Sequence, residues 1–376
     1  MSIPNPYLWK NYKQLAVIPA VLILLAAFFI FTRGIPAGVD LKGGILISIQ
    51  VDGVVDAALL KQKLSAFSKD VEIRAFSGPA GSGYEIELGT SENLAAAEAG
   101  VSAIKEMDLE LVRQEAAAGF ANQSADKAAA EAKVKDIGAK ILEETRRVLA
   151  LSGSSRDPGT EAHRAAAVAE EEFSTERSAY TQKIMAAVRE AVPVKAYSLK
   201  EIGASLSKFF FSKIREILVY SFILGAIVVF LVFRSFVPSI AVICGAVADV
   251  LIALGGMSAF GIPLTLASTA ALLMLIGFSL DTDILLTMRV LKRTEGTMYE
   301  RAYGAMKTGF MMNFAAMAAF GVLAGVALLL NVPTYYHIGS VVLIGAVADF
   351  AATWGMNAVT ILWYAERKER KRAGFK

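Results

Sequence analysis

The sequence predicts an α-helical membrane protein, a bundle of six spanning helices with a separate α+β domain between the first two. The 376-residue chain is 55% hydrophobic, and its apolar residues are concentrated in six segments. Segments of about 17 to 30 mostly apolar residues are long enough to cross the roughly 30 Å hydrocarbon core of a bilayer. These segments are Leu15–Phe31, Ile217–Phe233, Val237–Phe260, Ile262–Met288, Gly309–Leu330 and Tyr336–Ala365.

The first segment is predicted to be a retained membrane helix within residues 1–33. Lys10 and Lys13 precede it, and Arg33 follows it. A cleaved signal peptide is the alternative, because small residues follow the segment closely. The apolar run, however, is longer than the hydrophobic region of a usual signal peptide. We therefore expect the chain to begin with a cytoplasmic N-terminus and a first spanning helix.

The polar residues 34–212 predict a domain outside the membrane. Gly43 and Gly44 precede a segment of period-2 hydrophobicity, which indicates a sharp turn and then a strand. A helix over 57–67, strands over 71–76 and 84–88 and a helix over 91–105 follow. The order βαββα over residues 34–108 is most of a ferredoxin-like unit.

Residues 109–191 are rich in Ala, Glu, Lys and Arg, and they predict a helical-hairpin insertion in this domain. The one break, over 152–159, contains the glycines and the proline that end helices. The charged faces favour a solvated spacer, and an arm that binds a partner is the alternative. Residues 192–212 form the return segment of the domain. Residues 205–216, which mix phenylalanines with basic residues, are predicted to lie at the membrane surface and to lead into helix two.

Basic residues predict how helices two to six, within 213–365, are oriented. If both termini are cytoplasmic, the loops facing the cytoplasm and the tail, 366–376, carry many Lys and Arg. The loops at 261–263 and 331–333 carry none. Because basic residues stay on the cytoplasmic side, we expect a multi-pass protein of the cytoplasmic membrane whose large domain is extracytoplasmic.

Four aspartates lie within the spanning segments: Asp249, Asp281, Asp283 and Asp349. A carboxylate there costs about 3 kcal/mol or more, so such residues usually face a protein interior or a water path and mark ion or proton handling. For the middle pair, the alternative is that the helix spans only as far as Leu280 and that both lie in headgroup water.

Asp249 and Asp349 end the same pentapeptide, Gly-Ala-Val-Ala-Asp, which begins at Gly245 and at Gly345. At 1.5 Å per residue, each aspartate lies about 20 Å along its helix, near the middle of the membrane. The small residues allow close helix packing. We therefore predict a duplicated three-helix unit whose acids form one buried cluster, where mutual repulsion favours a shared proton.

Asp281 and Asp283 are two residues apart, about 200° around a helix, so they cannot face the same way. We expect Asp281 to face the interior. In the alternative Asp283 does, and Asp281 bonds to Ser279 or Thr282. Lys307, at the start of helix five, is the candidate cation for the acids, or else a basic anchor at the membrane surface.

The sequence lacks the features of several classes of protein. It contains no nucleophile elbow and no phosphate-binding glycine loop. His163 and His337 are too few and too separated for a zinc site, and the single Cys244 allows no intrachain disulfide. The polar domain is mildly acidic, which argues against a nucleic-acid partner. We therefore expect no catalytic residues, no metal and no cofactor.

These features resemble the SecD/SecF family of the resistance-nodulation-division superfamily, in the archaeal SecF type. The resemblance rests on six helices with a βαββα domain after the first and on three motifs, and it covers nearly the whole chain except residues 109–191. The motif residues are Gly38, Asp40, Gly43 and Gly44 at the start of the domain, Gly203 and Ser205 before helix two, and Gly277, Ser279 and Thr282 beside the paired aspartates.

The resemblance implies a non-enzymatic accessory of the Sec translocon in the lipid membrane. Such a subunit pairs with SecD into a twelve-helix unit, acts with a SecY-type translocon and aids export of unfolded secretory polypeptides. In bacterial members, movement of the external domains is thought to be coupled to proton flow through acids in helix four. Asp281 stands where SecD carries its intramembrane aspartate. Thr282 replaces the aspartate of bacterial SecF, and Lys307 replaces an arginine.

Two other functions fit the same residues. One is a transporter of small or lipidic substrates, the common role in the wider superfamily, which needs a continuous cavity in the external domain. The other is a passive scaffold of a translocon or insertase, in which the acids are only hydrogen-bond partners between helices.

Overall fold

The computed structural model describes residues 4–51, 56–78, 81–120, 124–330, 332–372 and 374, so parts of the predicted loop at 331–333 and of the basic tail lie outside the described residues. The chain divides into two compact units. The sheet unit takes up most of Val39–Phe210. The membrane unit combines the residues up to Gly38, which include helix α1 (Val17–Arg33), with Phe211–Lys376.

The sheet unit contains four strands, β1 (Gly44–Val51), β2 (Val71–Gly78), β3 (Gly81–Leu88) and β4 (Val194–Ile202). Their order in the sheet is β2-β3-β1-β4. β1 is antiparallel to both of its neighbours, with Ile47 opposite Ile86 of β3 and Leu199 of β4. The first three strands are confirmed where the sequence predicts them, and β2 and β3 are longer than expected.

β4 was not expected, because the return segment has no strand signal. Its exposed side chains include Lys195 and Lys200, and only one of its residues, Ile202, is buried. A strand at a sheet edge is stabilised by backbone hydrogen bonds to its neighbour rather than by burial of alternate side chains. β4 therefore forms because it pairs with β1. That pairing joins residues about 150 positions apart in the chain.

The helical arm has three helices rather than the predicted two. The second domain helix continues without a break to Phe120, because its buried stripe of Val101, Ile104 and Leu111 packs against the other two arm helices. The predicted break over 152–159 separates the second and third helices of the arm, as expected. The helices of the sheet unit are α2 (Val39–Lys42), α3 (Ala57–Leu64), α4 (Glu92–Phe120), α5 (Ser124–Leu151) and α6 (Ala162–Ala191).

The core of the sheet unit lies between the sheet and two helices, α3 and α6. Ile47 and Ile49 of β1 are fully buried against Leu60 of α3 and Ile184 of α6. Burial of each such side chain contributes about 1.5 to 3 kcal/mol relative to exposure. The period-2 pattern of β1 therefore places its isoleucines in this core.

Two glutamates of β3, Glu85 and Glu87, are buried beside Arg74 of β2. The Arg74 guanidinium lies 2.7 Å from Glu87 and 3.9 Å from Glu85. Burial raises the pKa of Glu85 to about 7, and the neighbouring Glu87 carboxylate adds to the rise. The sheet unit therefore carries a carboxyl group that titrates near neutral pH.

We expect Glu85→Gln to flatten the pH dependence of the sheet unit's stability. The folded pKa of about 7 lies above the ordinary value of 4.5, so the folded state keeps its proton longer, and stability falls by up to about 3 kcal/mol as pH rises from 4.5 to 7. Hydrogen exchange of strand amides at pH 5 and pH 8 measures this effect. The control is Glu92→Gln at an exposed position. An unchanged pH dependence in Glu85→Gln would contradict the assignment.

Six helices of the described chain are long and apolar enough to cross a membrane, which confirms the predicted number of spans. Helix α7 is continuous from Ala204, so residues 205–216 are its first turns rather than a separate surface segment. The sixth span includes a short π-helical segment, Ala352–Asn357. The helices after α6 are α7 (Ala204–Phe233), α8 (Phe236–Phe260), α9 (Leu266–Lys292), α10 (Met298–Leu330), α11 (Pro333–Ala351) and α12 (Ala358–Arg372).

Helices α8, α9 and α11 form the buried centre of the membrane unit. In the apolar parts of these helices, half or more of the residues are buried. In the apolar parts of α1, α7 and α10, fewer than a fifth of the residues are buried. The predicted intramembrane aspartates lie on these three central helices.

Candidate functional site: buried carboxylates in the spanning helices

The structure buries three of the four predicted acids, Asp249 on α8, Asp283 on α9 and Asp349 on α11, each no more than 1% exposed. Asp281 is exposed on the opposite side of α9. The expectation that Asp281 faces the interior is therefore wrong, and the alternative, Asp283, is correct. The reason is the rotation of α9, which directs Ser279, Thr282 and Asp283 inward.

The repeated pentapeptide places both of its glycines against α9. A Cβ atom on Gly245 would lie 2.5 Å from Oδ2 of Asp283, and one on Gly345 would lie 2.5 Å from the Leu275 side chain. Each glycine lies one turn before an aspartate on the same helix face. The two copies therefore pack α8 and α11 closely against α9 and bring their carboxylates to it.

Asp249 has one hydrogen-bond partner among the described residues. Ser279 Oγ donates to its Oδ2 at 2.5 Å. Its other oxygen, Oδ1, is buried and contacts no hydrogen-bonding group of the described residues. Neither Ser279 nor Thr282 bonds to Asp281, since both side chains donate to the buried acids.

Asp349 accepts three hydrogen bonds. Thr282 Oγ1 and Thr353 Oγ1 lie 2.8 and 2.9 Å from its Oδ1, and Asn313 Nδ2 lies 2.7 Å from its Oδ2. These donors come from three segments, α9, α10 and the π-helical segment. Three donors stabilise the ionised form of a carboxylate.

Asp283 lies between α8 and the π-helical segment. Asn357 Nδ2 donates to its Oδ1 at 2.6 Å. Its Oδ2, beside Gly245, has no partner among the described residues, and neither does the amide oxygen of Asn357. Thr287, one turn further along α9, also has a buried hydroxyl without a partner. Buried polar atoms without a partner among the described residues therefore lie along this side of α9.

The π-helical segment supplies two partners of the acids, Thr353 and Asn357. A π-helical turn contains an extra residue, and such turns are frequent at functional sites. Sequence reasoning missed Asn313, Thr353 and Asn357. The available signal was their position as polar residues within long apolar segments.

No basic side chain is a partner of the three buried acids in the described part of the chain. Lys307, the predicted candidate cation, is exposed, and its Nζ lies 4.5 Å from the ring centroid of Tyr303. It forms no ion pair with a described residue, so its expected role beside the acids is wrong and the alternative of a surface anchor remains. The partners of the cluster are neutral hydroxyl and amide groups.

Most of the other motif residues have structural roles. The N–H of Gly38 donates to the carbonyl of Leu264 at 2.9 Å. The buried Asp40 pairs with Lys200 of β4 at 2.7 Å. Gly43 and Gly44 have φ of +78° and +135°, conformations that side chains rarely adopt.

Gly203 and Ser205 lie at the start of α7, where a side chain of α4 caps the helix. The Glu98 carboxylate of α4 accepts the backbone N–H of Ala204 at 2.7 Å and that of Ser205 at 3.3 Å. A Cβ atom on Gly203 would occupy the place of this carboxylate. An acid at a helix N-terminus stabilises its free amides.

Gly277 lies with Phe278 and Asp281 on the exposed side of α9, and no atom lies within 4 Å of the position that a Cβ on Gly277 would take. Among the residues that the structure describes, no group of three or more histidine, cysteine or acidic side chains is arranged to hold a metal ion.

Comparison with known proteins identifies the family. The model of the protein export membrane protein SecD/SecF C-terminal region matches residues 182–367. The chain is 46% identical over 186 residues to the protein-export membrane protein SecF of Methanothermobacter thermautotrophicus, which covers 49% of this chain and 64% of that relative. It is 29% identical over 366 residues to SecF of Methanocaldococcus jannaschii, covering 96% and 99% of the two chains.

Among solved structures, the chain is similar to SecDF, a translocon-associated membrane protein from Thermus thermophilus. The TM-score is 0.49 at 15% identity, over 96% of this chain and 60% of that one. The family match and the archaeal relatives agree with the motifs in the sequence. The chain belongs to the SecF family of protein-export membrane proteins, in its archaeal type.

Proposed function

We propose that this chain is a non-enzymatic accessory subunit of the Sec translocon that promotes export of unfolded proteins across the cytoplasmic membrane. The names of its relatives as protein-export membrane proteins support this role. The observation that carries the mechanism is the cluster of Asp249, Asp283 and Asp349 at the centre of the spanning helices.

We propose that the cluster couples export to an ion gradient. Three carboxylates in an apolar interior, with no basic partner in the part of the chain that the structure describes, repel one another, so fewer than three are ionised at once. When an acid gains or loses a proton, the set of hydrogen bonds that its oxygens can accept changes. Thr353 and Asn357 belong to one π-helical segment, so such a change would act on the path of the sixth span.

Asp281 supports pairing with SecD. Its carboxylate is exposed on α9 together with Gly277 and Phe278, within a spanning segment. A carboxylate in contact with lipid is costly, whereas a neighbouring helix can supply a donor and pack against a glycine. The proposed partners are thus SecD at this side of α9, a SecY-type translocon and the exported polypeptide.

The proposed orientation follows from the basic residues at the helix ends, with both termini cytoplasmic and the sheet unit extracytoplasmic. We also propose that the sheet unit is ferredoxin-like. The strand order β2-β3-β1-β4 and the helices α3 and α4 between its strands support this assignment.

The test is a triple variant, Asp249→Asn, Asp283→Asn and Asp349→Asn, assembled with SecD in vesicles that contain the translocon. We expect the complex to form and basal export of an unfolded precursor to persist, while stimulation by an imposed proton or sodium gradient is lost. The matched control replaces three exposed acids of the helical arm, Asp126, Asp136 and Asp157, with Asn. Full gradient stimulation in the triple variant would favour a passive scaffold.

A further inference from the structure

A cavity of about 920 Å³ lies where α8 begins and α12 ends, at one end of the membrane unit. Val237 of α8 and Trp363 of α12 line its apolar part, and Arg367, Lys368 and Lys371 line its polar part. Neither the buried acids nor the motif residues of the sequence are among the residues that line this cavity. Its lining combines positive charge with apolar surface.

The charges at the end of α12 are separated by sign. Glu366 is directed to one side, where it accepts hydrogen bonds from the hydroxyls of Tyr12 and Tyr299, the latter at 2.8 Å. Glu369, the other acid of this helix end, does not line the cavity. The basic residues that line it are exposed and form no ion pair with a described residue. These residues are Arg367, Lys368, Arg370 and Lys371.

Arg367 is positioned to bind an anion. Its guanidinium carbon lies 3.9 Å from the ring centroid of Trp363. Stacking on an aromatic ring holds the guanidinium in place and leaves its N–H groups free to bind a phosphate in bidentate geometry. The lysines on the same lining add charge without such geometric constraint.

The start of α8 adds a second source of positive potential. Ser235, the residue before the helix, makes no side-chain cap, so the first amides of this 25-residue helix lack that partner. Val237 brings this helix end to the cavity. A long helix favours an anion at its N-terminus.

Apolar surface continues from the cavity along α8. Phe236, Val237 and Ile240 are 70%, 40% and 44% exposed. They occupy the first turns of a spanning helix, where lipid chains begin. A ligand that placed an anion among the basic residues could extend an apolar chain along these side chains, whereas a nucleic acid would leave them uncovered.

We propose that this cavity binds an anionic membrane lipid, with its phosphodiester among Arg367, Lys371 and the start of α8 and one hydrocarbon chain along Phe236, Val237 and Ile240. The ligand class is thus a phosphate-bearing amphiphile. The site lies apart from the acid cluster, and the proposal does not depend on the function proposed for that cluster.

Quenching of Trp363 fluorescence by brominated lipid tests the proposal. The full chain is reconstituted in phosphatidylcholine bilayers that contain brominated phosphatidylglycerol, and a Trp363→Phe variant subtracts the signal of Trp9 and Trp354. We expect phosphatidylglycerol to be preferred over phosphatidylcholine at Trp363 by about fivefold or more, the ratio that one basic side chain gives at a membrane surface. Arg367→Gln with Lys371→Gln should reduce the preference by more than half, while Lys368 and Arg370 keep a smaller part of it.

The matched control is Lys10→Gln with Lys13→Gln. It removes the same charge from exposed residues near the same helix end, since Tyr12 contacts Glu366, but it leaves the cavity intact. A ratio near one for Trp363 in the chain with all its basic residues intact would refute the proposal. An equal loss in the control pair would also refute it, because bulk surface charge would then suffice. Displacement of the brominated lipid by inorganic phosphate or by polyuridylic acid would assign the cavity to free phosphate or to nucleic acid instead.

Discussion

Gly44→Ala is expected to destabilise the sheet unit by about 3 kcal/mol or more, because it combines backbone strain with a collision. Gly44 has a φ of +135°, and a Cβ atom there would lie 2.1 Å from the carbonyl oxygen of Leu88. That oxygen belongs to the backbone of β3, which pairs with β1. The clash therefore requires the two strands to separate at their first pair. Hydrogen exchange of β1 and β3 amides in the full chain measures the loss.

Gly153→Ala is the control for the backbone conformation alone. Gly153 has a φ of +69°, but nothing lies within 4 Å of the position of its Cβ. We expect a cost of about 1 kcal/mol there, from the left-handed conformation only. If both variants lose stability equally, the close approach of β3 to Gly44 does not constrain the sheet.

Asp349→Leu is expected to destabilise the purified chain by about 4 kcal/mol, because two buried donors, Thr353 and Asn313, lose their acceptor. Thr282 Oγ1 loses the same acceptor but keeps the carbonyl of Ser279 at 3.0 Å. Asp249→Leu is expected to cost about 1 kcal/mol or less. It leaves only Ser279 without an acceptor, and it removes a carboxylate whose second oxygen has no partner. The midpoint of thermal unfolding in detergent compares the two variants.

Asp281→Leu serves as the matched control for this comparison. Asp281 is exposed in the isolated chain, so its replacement should change the midpoint little until a partner subunit is added. A larger loss for Asp249→Leu than for Asp349→Leu would contradict the assignment of hydrogen bonds in the cluster.

The sequence was sufficient for the features that depend on local composition. The apolar segments predicted six spans, and the alternation of Ile45, Ile47 and Ile49 predicted β1 with its buried face. The repeated pentapeptide predicted that Asp249 and Asp349 are buried together. Each inference uses residues close together in the chain, and hydrophobic burial acts on that pattern directly.

β4 and the partners of the acids could not be predicted in the same way. β4 is a mostly exposed edge strand whose place is determined by backbone pairing with β1. Asn313 and Asn357 reach the acids from other helices and are 36 and 74 residues from the aspartates that they contact. Such contacts depend on how helices pack, which their own sequences do not specify.

The sequence by itself determined the class of this protein, its family resemblance and the set of costly intramembrane acids, since these follow from composition and from motifs. Only the tertiary structure decided that Asp283 rather than Asp281 joins Asp249 and Asp349 and that Lys307 does not. The two aspartates of α9 are equivalent in local sequence. The rotation of that helix is set by the close packing of Gly245 and Gly345 against it, and this packing directs one carboxylate inward and the other outward.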